Sequence, residues 1–466
     1  MGLMVLVATL APAARAESPA PGHAAQPLKQ PLTLEQALQY ALEHYPTVRA
    51  AIEDIHASAA GIDVARSASL PRLDAVWQAN RATANNLFGQ LLPQSVIPPL
   101  TGPVLGAASG ESIWGTAAGA FFSWEPVDFG LRRAGVDRAE AALARARAGE
   151  TATRLDVQTA VANAFLAVAA AERMVAAAEA DVDRRDILRR SAQALVDNQL
   201  RPGVDASRAE AERAAAETRL IQARQALALA QTTLGRVLGM GQPVATIEAG
   251  PLLARLPTGD IPAAAPAGHP LAQLRQASID EARALEAVLA RTDRPRLFLQ
   301  SAAFARGSGA SPNGALDGSL RGLAFDRANW AAGVQVVLPN VFDLPSLHAR
   351  QAAALASERA ESARYDEALL TVASQQQAAA ALVQAARAVA ANTPVQLAAA
   401  RQTEAQARAR YQAGLATIVE VADAQSLLAQ AEVQDQLARI DVWRALLQAA
   451  VARGDLAPFL DLLRQP

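Results

Sequence analysis

The sequence predicts a mainly α-helical protein with a small β portion, built from one unit used twice. Three observations point there. Pro46 and Pro71 recur as Pro270 and Pro295 at a single shared offset, and Pro71-Arg72-Leu73 recurs as Pro295-Arg296-Leu297. Further along, Phe129-Gly130 answers to Phe342-Asp343 and Gln199-Leu200 to Gly414-Leu415, at slightly shorter offsets. Alanine dominates, aromatics are only 4%, and Arg, Glu and Gln fill most other positions. That usage with a period near 3.5 marks long helices and coiled coils. In four short segments the period changes to two, and four of the five tryptophans (Trp77, Trp114, Trp124, Trp330) lie in them.

Residues 1–16 are expected to be a signal peptide: an apolar run at 3–10 precedes the small-x-small site Ala14-Arg15-Ala16, although no Lys or Arg precedes the run. Residues 17–32, rich in Pro and Gln, are expected to be a flexible lead-in. The first repeat spans 33–239. Thr33 with Gln36 forms a capping-box pattern for a helix through Leu34, Leu38 and Leu42, and a second helix follows from Thr47 to Ser69. From Leu73, alternate residues Leu73, Ala75, Trp77 and Ala79 share one face, while Asp74, Gln78 and Asn80 share the other. Strands are expected at 73–83 and 113–125, separated by a loop rich in Pro, Gly and Asn.

A helix is expected over 127–198. Its roughly 70 residues reach about 100 Å. Val161, Val168, Val175 and Val182, with Phe165, form a coiled-coil seam in it. Its partner helix covers 204–238. Residues 240–268, dense in Pro and Gly, read as an interrepeat linker. The second repeat, 269–453, has strands at 296–306 and 329–338 and long helices at 344–413 and 417–453. In the last helix Leu437, Ile440, Leu447 and Val451 keep an a/d rhythm. Residues 454–466 form a C-terminal tail.

Several function classes are excluded. The net charge of −2 offers no basic footprint for nucleic acid. Without cysteine there is no disulfide framework, no thiolate metal site and no lipidated cysteine. The five histidines are dispersed without HExxH spacing, so neither a metal nor a cofactor is expected. Gly307-Ser308-Gly309 is not followed by a helix and is no phosphate cradle. No catalytic constellation is found.

No run of 18 apolar residues predicts a transmembrane helix. Strands of about ten residues are nevertheless long enough to cross a bilayer when tilted, and tryptophans suit its interfaces. A soluble sheet with aromatic core positions would give the same alternation. Four strands cannot close a barrel, so a spanning sheet would need oligomerisation to remove its edges.

Two turn motifs follow the long helices. One is Asn198-Gln199-Leu200-Arg201-Pro202-Gly203-Val204-Asp205. The other is Tyr411-Gln412-Ala413-Gly414-Leu415-Ala416-Thr417-Ile418-Val419-Glu420-Val421-Ala422-Asp423-Ala424. In these motifs, and in the order of elements from residue 33 onward, the chain resembles the TolC-like outer membrane efflux protein family. The resemblance implies a homotrimer. Four strands from each subunit would form a 12-stranded β-barrel in outer membrane lipid, continuous with a periplasmic α-barrel. It also implies an exit duct that performs no chemistry, in a tripartite efflux or type I secretion system. The implied partners are a periplasmic adaptor (membrane fusion) protein and an inner-membrane pump. A periplasmic coiled-coil adaptor or scaffold is the alternative, since it shares the helical hairpins.

The resemblance also assigns residues. Glu420 and Asp423, three apart on one helix face, would ring the periplasmic entrance, where crowded carboxylates raise one another's pKa and attract cations. Ordinary solvated helix charges would look the same. Asp205 and Tyr411 match an entrance lock. The family's best-known member has an arginine where this chain has Ala416, so fewer links are expected here, with Arg201 as a substitute. Leu200, Gly203, Gly414, Leu415 and Ala416 are the expected adaptor contacts. Gly414 suits a left-handed helix cap and Gly203 a tight reversal. Pro71, Pro126, Pro295 and Pro339 are expected at the strand–helix junctions, because proline fixes φ and restricts the residue before it. The copies differ at the tips: Glu420 and Asp423 in one, Asp205 and Arg208 in the other.

Overall fold

A computed structural model describes residues 31–83, 110–250, 252, 256–309, 311, 315–338 and 341–464. The expected signal peptide, the lead-in up to residue 30, and Pro339 lie outside the described residues. The first repeat opens with α1 (Leu34–His44) and α2 (Pro46–Ser67). Gln36 N donates to Thr33 Oγ1 at 3.3 Å and Thr33 N to Gln36 Oε1 at 3.1 Å. These reciprocal bonds satisfy two amides that a helix start leaves unpaired. Strands β1 (Arg72–Thr83) and β2 (Ser112–Val127) follow, then α3 (Leu131–Asp197) and α4 (Gly203–Val237). The second repeat runs α5 (Pro270–Leu289), β3 (Arg296–Ser308), β4 (Arg327–Val337), α6 (Leu344–Gln412) and α7 (Ile418–Arg453), with α8 (Ala457–Arg464) after it. The duplication holds in space as in sequence. The starts of β1 and β3 are separated by the same stretch of chain as the paired prolines. The starts of α3 and α6 keep the offset of Phe129 and Phe342, and those of α4 and α7 the offset of Leu200 and Leu415.

The strands form one antiparallel sheet in the order β1-β2-β3-β4. Its register separates two unlike faces. One carries Asp74, Gln78, Ser123, Gln300, Arg306, Asn329 and Gln335. On that face Ala117, Phe121, Ala302 and Phe304 shelter one another. The other carries Leu73, Trp77, Phe122, Leu299, Trp330 and Val334. There Leu73, Trp77, Trp330 and Val334 stand 66% to 81% exposed. Gly119 is required on the first face, since an added Cβ would lie 2.4 Å from Phe304 Cβ.

α3 packs on α4, α6 on α7, and α3 on α7, which sets the hairpins in the order α4-α3-α7-α6. In α6 a heptad seam runs Val383, Ala390, Leu397, Glu404, Tyr411, all buried. In α3 the valine heptad holds only in part. Val161, Phe165 and Val168 are fully buried, whereas Val175 and Val182 are half-buried and Asp181, Arg185, Leu188 and Ala192 take the seam. An α-helix drifts about 20° per heptad against a strict seven-residue repeat.

Most bulk gathers in one core where α1, α3, α4, α7 and α8 meet: Phe165, Leu234, Leu238, Trp443, Leu446 and Phe459. Trp443 and Phe459 meet edge-on with ring centroids 5.9 Å apart. Two expectations change here. The linker is not loose: Val244, Ile247, Ala249 and Leu252 are buried in the core, and Leu32 bridges to Ile247. The tail is helical from Ala457 and plugs the core with Phe459. Helices made of alanine bury little area, so such segments supply the missing apolar surface. α3 holds an 18-residue window apolar enough by length and composition to cross a bilayer, half of it buried within the fold.

Farther along the hairpins a buried ionic node joins three helices. Arg185, 1% exposed, donates through Nε to both Asp181 carboxylate oxygens at 3.2 Å. Its Nη1 reaches Glu212 Oε2 of α4 at 2.8 Å and its Nη2 reaches Ser426 Oγ of α7 at 3.0 Å. Arg219 also donates to Asp181 at 2.9 Å, and Arg184 pairs with Glu432 of α7 at 2.8 Å.

Candidate functional site

The two hairpin turns are built alike. Leu200 N donates to Leu195 O and Leu415 N to Arg410 O, both at 2.8 Å. Gln199 N donates to Val196 O at 2.9 Å and Gly414 N to Tyr411 O at 3.0 Å. This is the Schellman pattern, which needs a left-handed residue just past the helix. Gly414 supplies it with φ 78°, and at the other tip Gln199 does so with φ 60°. The expected role of Gly203 is thereby corrected. It is the first residue of α4, and the reversal is made by Gln199 four positions earlier. A side chain in that conformation costs about 1–2 kcal/mol. Gln199→Gly is therefore expected to stabilise the hairpin by about 1 kcal/mol, read as a higher melting temperature. An unchanged or lower one refutes it.

Leu200 and Leu415 project from the tips at 69% and 71% exposure. Gly203 and Gly414 are also exposed, but Ala416 is buried, so its side chain offers no contact surface. Beneath the tips Tyr411 packs among Leu188, Ala192, Ala209, Ile418 and Val421. Its hydroxyl donates to Asp205 Oδ2 at 3.2 Å, joining the two hairpins. Arg201 adds a second tie. Its guanidinium lies 4.7 Å from the Tyr411 ring centroid and donates to Tyr411 O at 3.0 Å and Ala416 O at 3.3 Å. A cation thus reaches the position of Ala416 from the opposite turn.

Burial, then the negative charge of Asp205 and its hydrogen bond, push the Tyr411 phenol up to about 12, against a smaller opposing pull from Arg201. The folded-state value lies above the ordinary value of 10. The folded chain therefore keeps a proton that the unfolded chain releases, and this bond's stabilisation falls as pH rises from 10 through 12. An ultraviolet difference titration against Tyr411→Phe is expected to show a phenol ionising near pH 12. A midpoint near the ordinary value would mean the bond is not formed.

Glu420 and Asp423 are both exposed on the first turns of α7. Glu420 is already engaged: its carboxylate accepts from Thr417 N at 3.2 Å in a capping box and lies 3.6 Å from Arg410. The S/T-x-x-E pattern of Thr417 and Glu420 was a readable sign of that role. Pro71 and Pro295 stand immediately before β1 and β3. Pro126 is placed differently from the expectation. It lies inside β2, where the β2–β3 register shifts between Trp124 and Val127. A residue without an N–H is tolerated at such an irregularity. Just before α3, the Asp128 carboxylate holds its first turn, accepting from Gly130 N at 3.1 Å and Arg132 N at 2.6 Å.

A family model described as outer membrane efflux protein matches residues 37–240 and 272–461. No curated protein matches the chain. Solved structures share its fold, among them the following three. The CmeC outer membrane channel of Campylobacter jejuni is 15% identical, with a TM-score of 0.74 over 92% of this chain and 89% of that one. The outer membrane protein VceC of Vibrio cholerae is 19% identical, with a TM-score of 0.70 over 91% and 96%. The open state of the MtrE outer membrane channel of Neisseria gonorrhoeae is 18% identical, with a TM-score of 0.71 over 91% and 89%. The family match covers both repeats, tips included: the chain belongs to the outer membrane efflux protein family, as an exit duct of efflux systems and not an enzyme.

Proposed function

We propose that three copies of this chain close a 12-stranded barrel in the outer membrane, continued by an α-barrel through the periplasm. Cargo reaches this duct from an inner-membrane pump through a periplasmic adaptor protein, in tripartite efflux or type I secretion. One observation carries the reading. The sheet has an apolar and a polar face and, among the described residues, no strand on the outer edge of β1 or β4. Unpaired edges are not tolerated in lipid, and pairing β4 of one copy with β1 of the next removes them. The outermost helices agree: Ile221 and Leu229 on α4, and Leu370, Leu382, Val389 and Val395 on α6, are exposed aliphatics on the two flanks. A soluble scaffold has no use for a sheet with one exposed tryptophan-bearing face.

In this duct Asp205, Tyr411 and Arg201 hold the periplasmic entrance at rest. The exposed Leu200 and Leu415, with Gly203 and Gly414, meet the adaptor. Glu420 and Asp423 form the acidic ring, with Asp423 the less engaged of the two. The assembly is tested by membrane fractionation and cross-linking in cells. The chain should sediment with the outer membrane and run as a trimer in mild detergent; a monomer in both assays overturns the reading. The ring is tested separately. Glu420→Ala with Asp423→Ala should weaken block of single channels by trivalent cations, and unchanged block removes that assignment.

A further inference from the structure

Arginines on the polar face of the sheet fall into two groups. At the end next to the helices each has a carboxylate. Arg296 donates to both Glu125 oxygens, at 2.7 and 2.6 Å, and Arg72 lies 2.7 Å from Asp74. At the hairpin end, Arg306 of β3 stands directly opposite Arg327 of β4, and the row continues through Ala117 to Gln78. Directly opposed side chains have Cβ atoms about 5 Å apart, and like charges there destabilise a sheet. Among the described residues Arg306 has no ion-pair partner, and its Nε is buried without a hydrogen-bond acceptor. Arg327 lies 3.9 Å from its neighbour Asp326, with both side chains part-exposed. Beside Arg306, β2 presents the small residues Gly115, Ala117 and Gly119, none of which carries a charge.

A pair of directly opposed arginines on the polar face, one with an unpartnered buried Nε, has an evident use at a pore wall. Rings of arginine make anion sites in channels, and the guanidinium fork matches phosphate and carboxylate oxygens. We propose that Arg306 and Arg327 form an anion-binding belt at the hairpin end of the barrel lumen, where multivalent phosphate- or carboxylate-bearing solutes bind in transit. The inference rests on the trimeric-duct reading: the polar face lines the pore, and each of three copies contributes both arginines. It places a cationic belt at the opposite end of the duct from the acidic tips.

The test uses the full-length channel in planar bilayers with tripolyphosphate as probe, added to each side in turn. Wild-type current should be blocked, more strongly from one side than the other. Arg306→Gln with Arg327→Gln should raise the half-blocking concentration at least tenfold. Arg306→Lys with Arg327→Lys, which keeps the charge, should retain most of the block and so guards against a folding defect. Current steps without tripolyphosphate block, or block unchanged in the Gln pair, overturn the belt while leaving the duct intact. Absence of current steps in both the wild type and Arg201→Ala, whose entrance is expected to be open, removes the duct reading and the belt with it.

Discussion

Arg201→Ala is expected to open the resting entrance, raising single-channel conductance in planar bilayers severalfold over wild type. The physical case is the number of links that one side chain carries. Arg201 bonds the carbonyls of Tyr411 and Ala416 and covers the Tyr411 ring. Hydrogen bonds to charged groups contribute about 1.5–3 kcal/mol, and a cation–π contact about 0.5–2 kcal/mol. Losing the set costs on the order of 3 kcal/mol per subunit, and each subunit of a trimer would lose it at once. Tyr411→Phe removes one bond and leaves the buried Asp205 carboxylate short of a donor, at about 1–3 kcal/mol. It should open the entrance less than Arg201→Ala does. If conductance is unchanged in both variants, these links do not hold the entrance. If only Tyr411→Phe opens it, Arg201 is a structural brace for the turn. The sequence alone suggested a loosely closed pore, because Ala416 lacks a charge. Arg201, the substitute the sequence offered from the turn of the other repeat, bonds Ala416 O in the structure.

Arg185→Ala is expected to cause the largest loss of stability among single substitutions in the helical hairpins. Each guanidinium nitrogen has a partner, in Asp181, Glu212 and Ser426, and the group is almost fully enclosed. Removing one partner of a buried ionic cluster costs about 3–5 kcal/mol, because the charge left behind has no solvent. Arg219 still reaches Asp181, which places the expected loss near the lower figure, about 3 kcal/mol. The readout is thermal melting of the detergent-solubilised protein. Arg185→Lys should recover only part of the loss, since an ammonium cannot serve three acceptors in the fork geometry. A melting temperature unchanged in Arg185→Ala would show that the node is solvated.

Much of the architecture was legible because periodicity is local. Alternation from Leu73 onward named both faces of β1, and the register keeps them: Trp77 is exposed on one and Asp74 is part-buried on the other. Thr33 and Gln36 announced a capping box that the structure contains. The spacings between Pro71 and Pro295, Phe129 and Phe342, and Leu200 and Leu415 reappear between the starts of matching elements. Other features were illegible for specific reasons. Gln199 adopts a left-handed conformation that its residue type does not favour, imposed by the Schellman bonds around it. Pro126 reads as a junction but sits in a strand irregularity, visible only once β3 is paired beside it. The linker looked loose from its Pro and Gly content, yet Val244 and Leu252 fill a core lined by other segments.

The sequence by itself determined the long elements, their duplication and the two faces of the strands, because those depend on residue type and on spacing within one helix or strand. Only the tertiary structure decided which polar groups meet. Arg201 with Tyr411, Arg185 with Ser426 and Arg306 with Arg327 are set by where separate elements come to lie side by side. No period along the chain encodes that distance. The repeat therefore declares the wall of the duct, while its ties, its stability node and its opposed arginines arise from packing between segments.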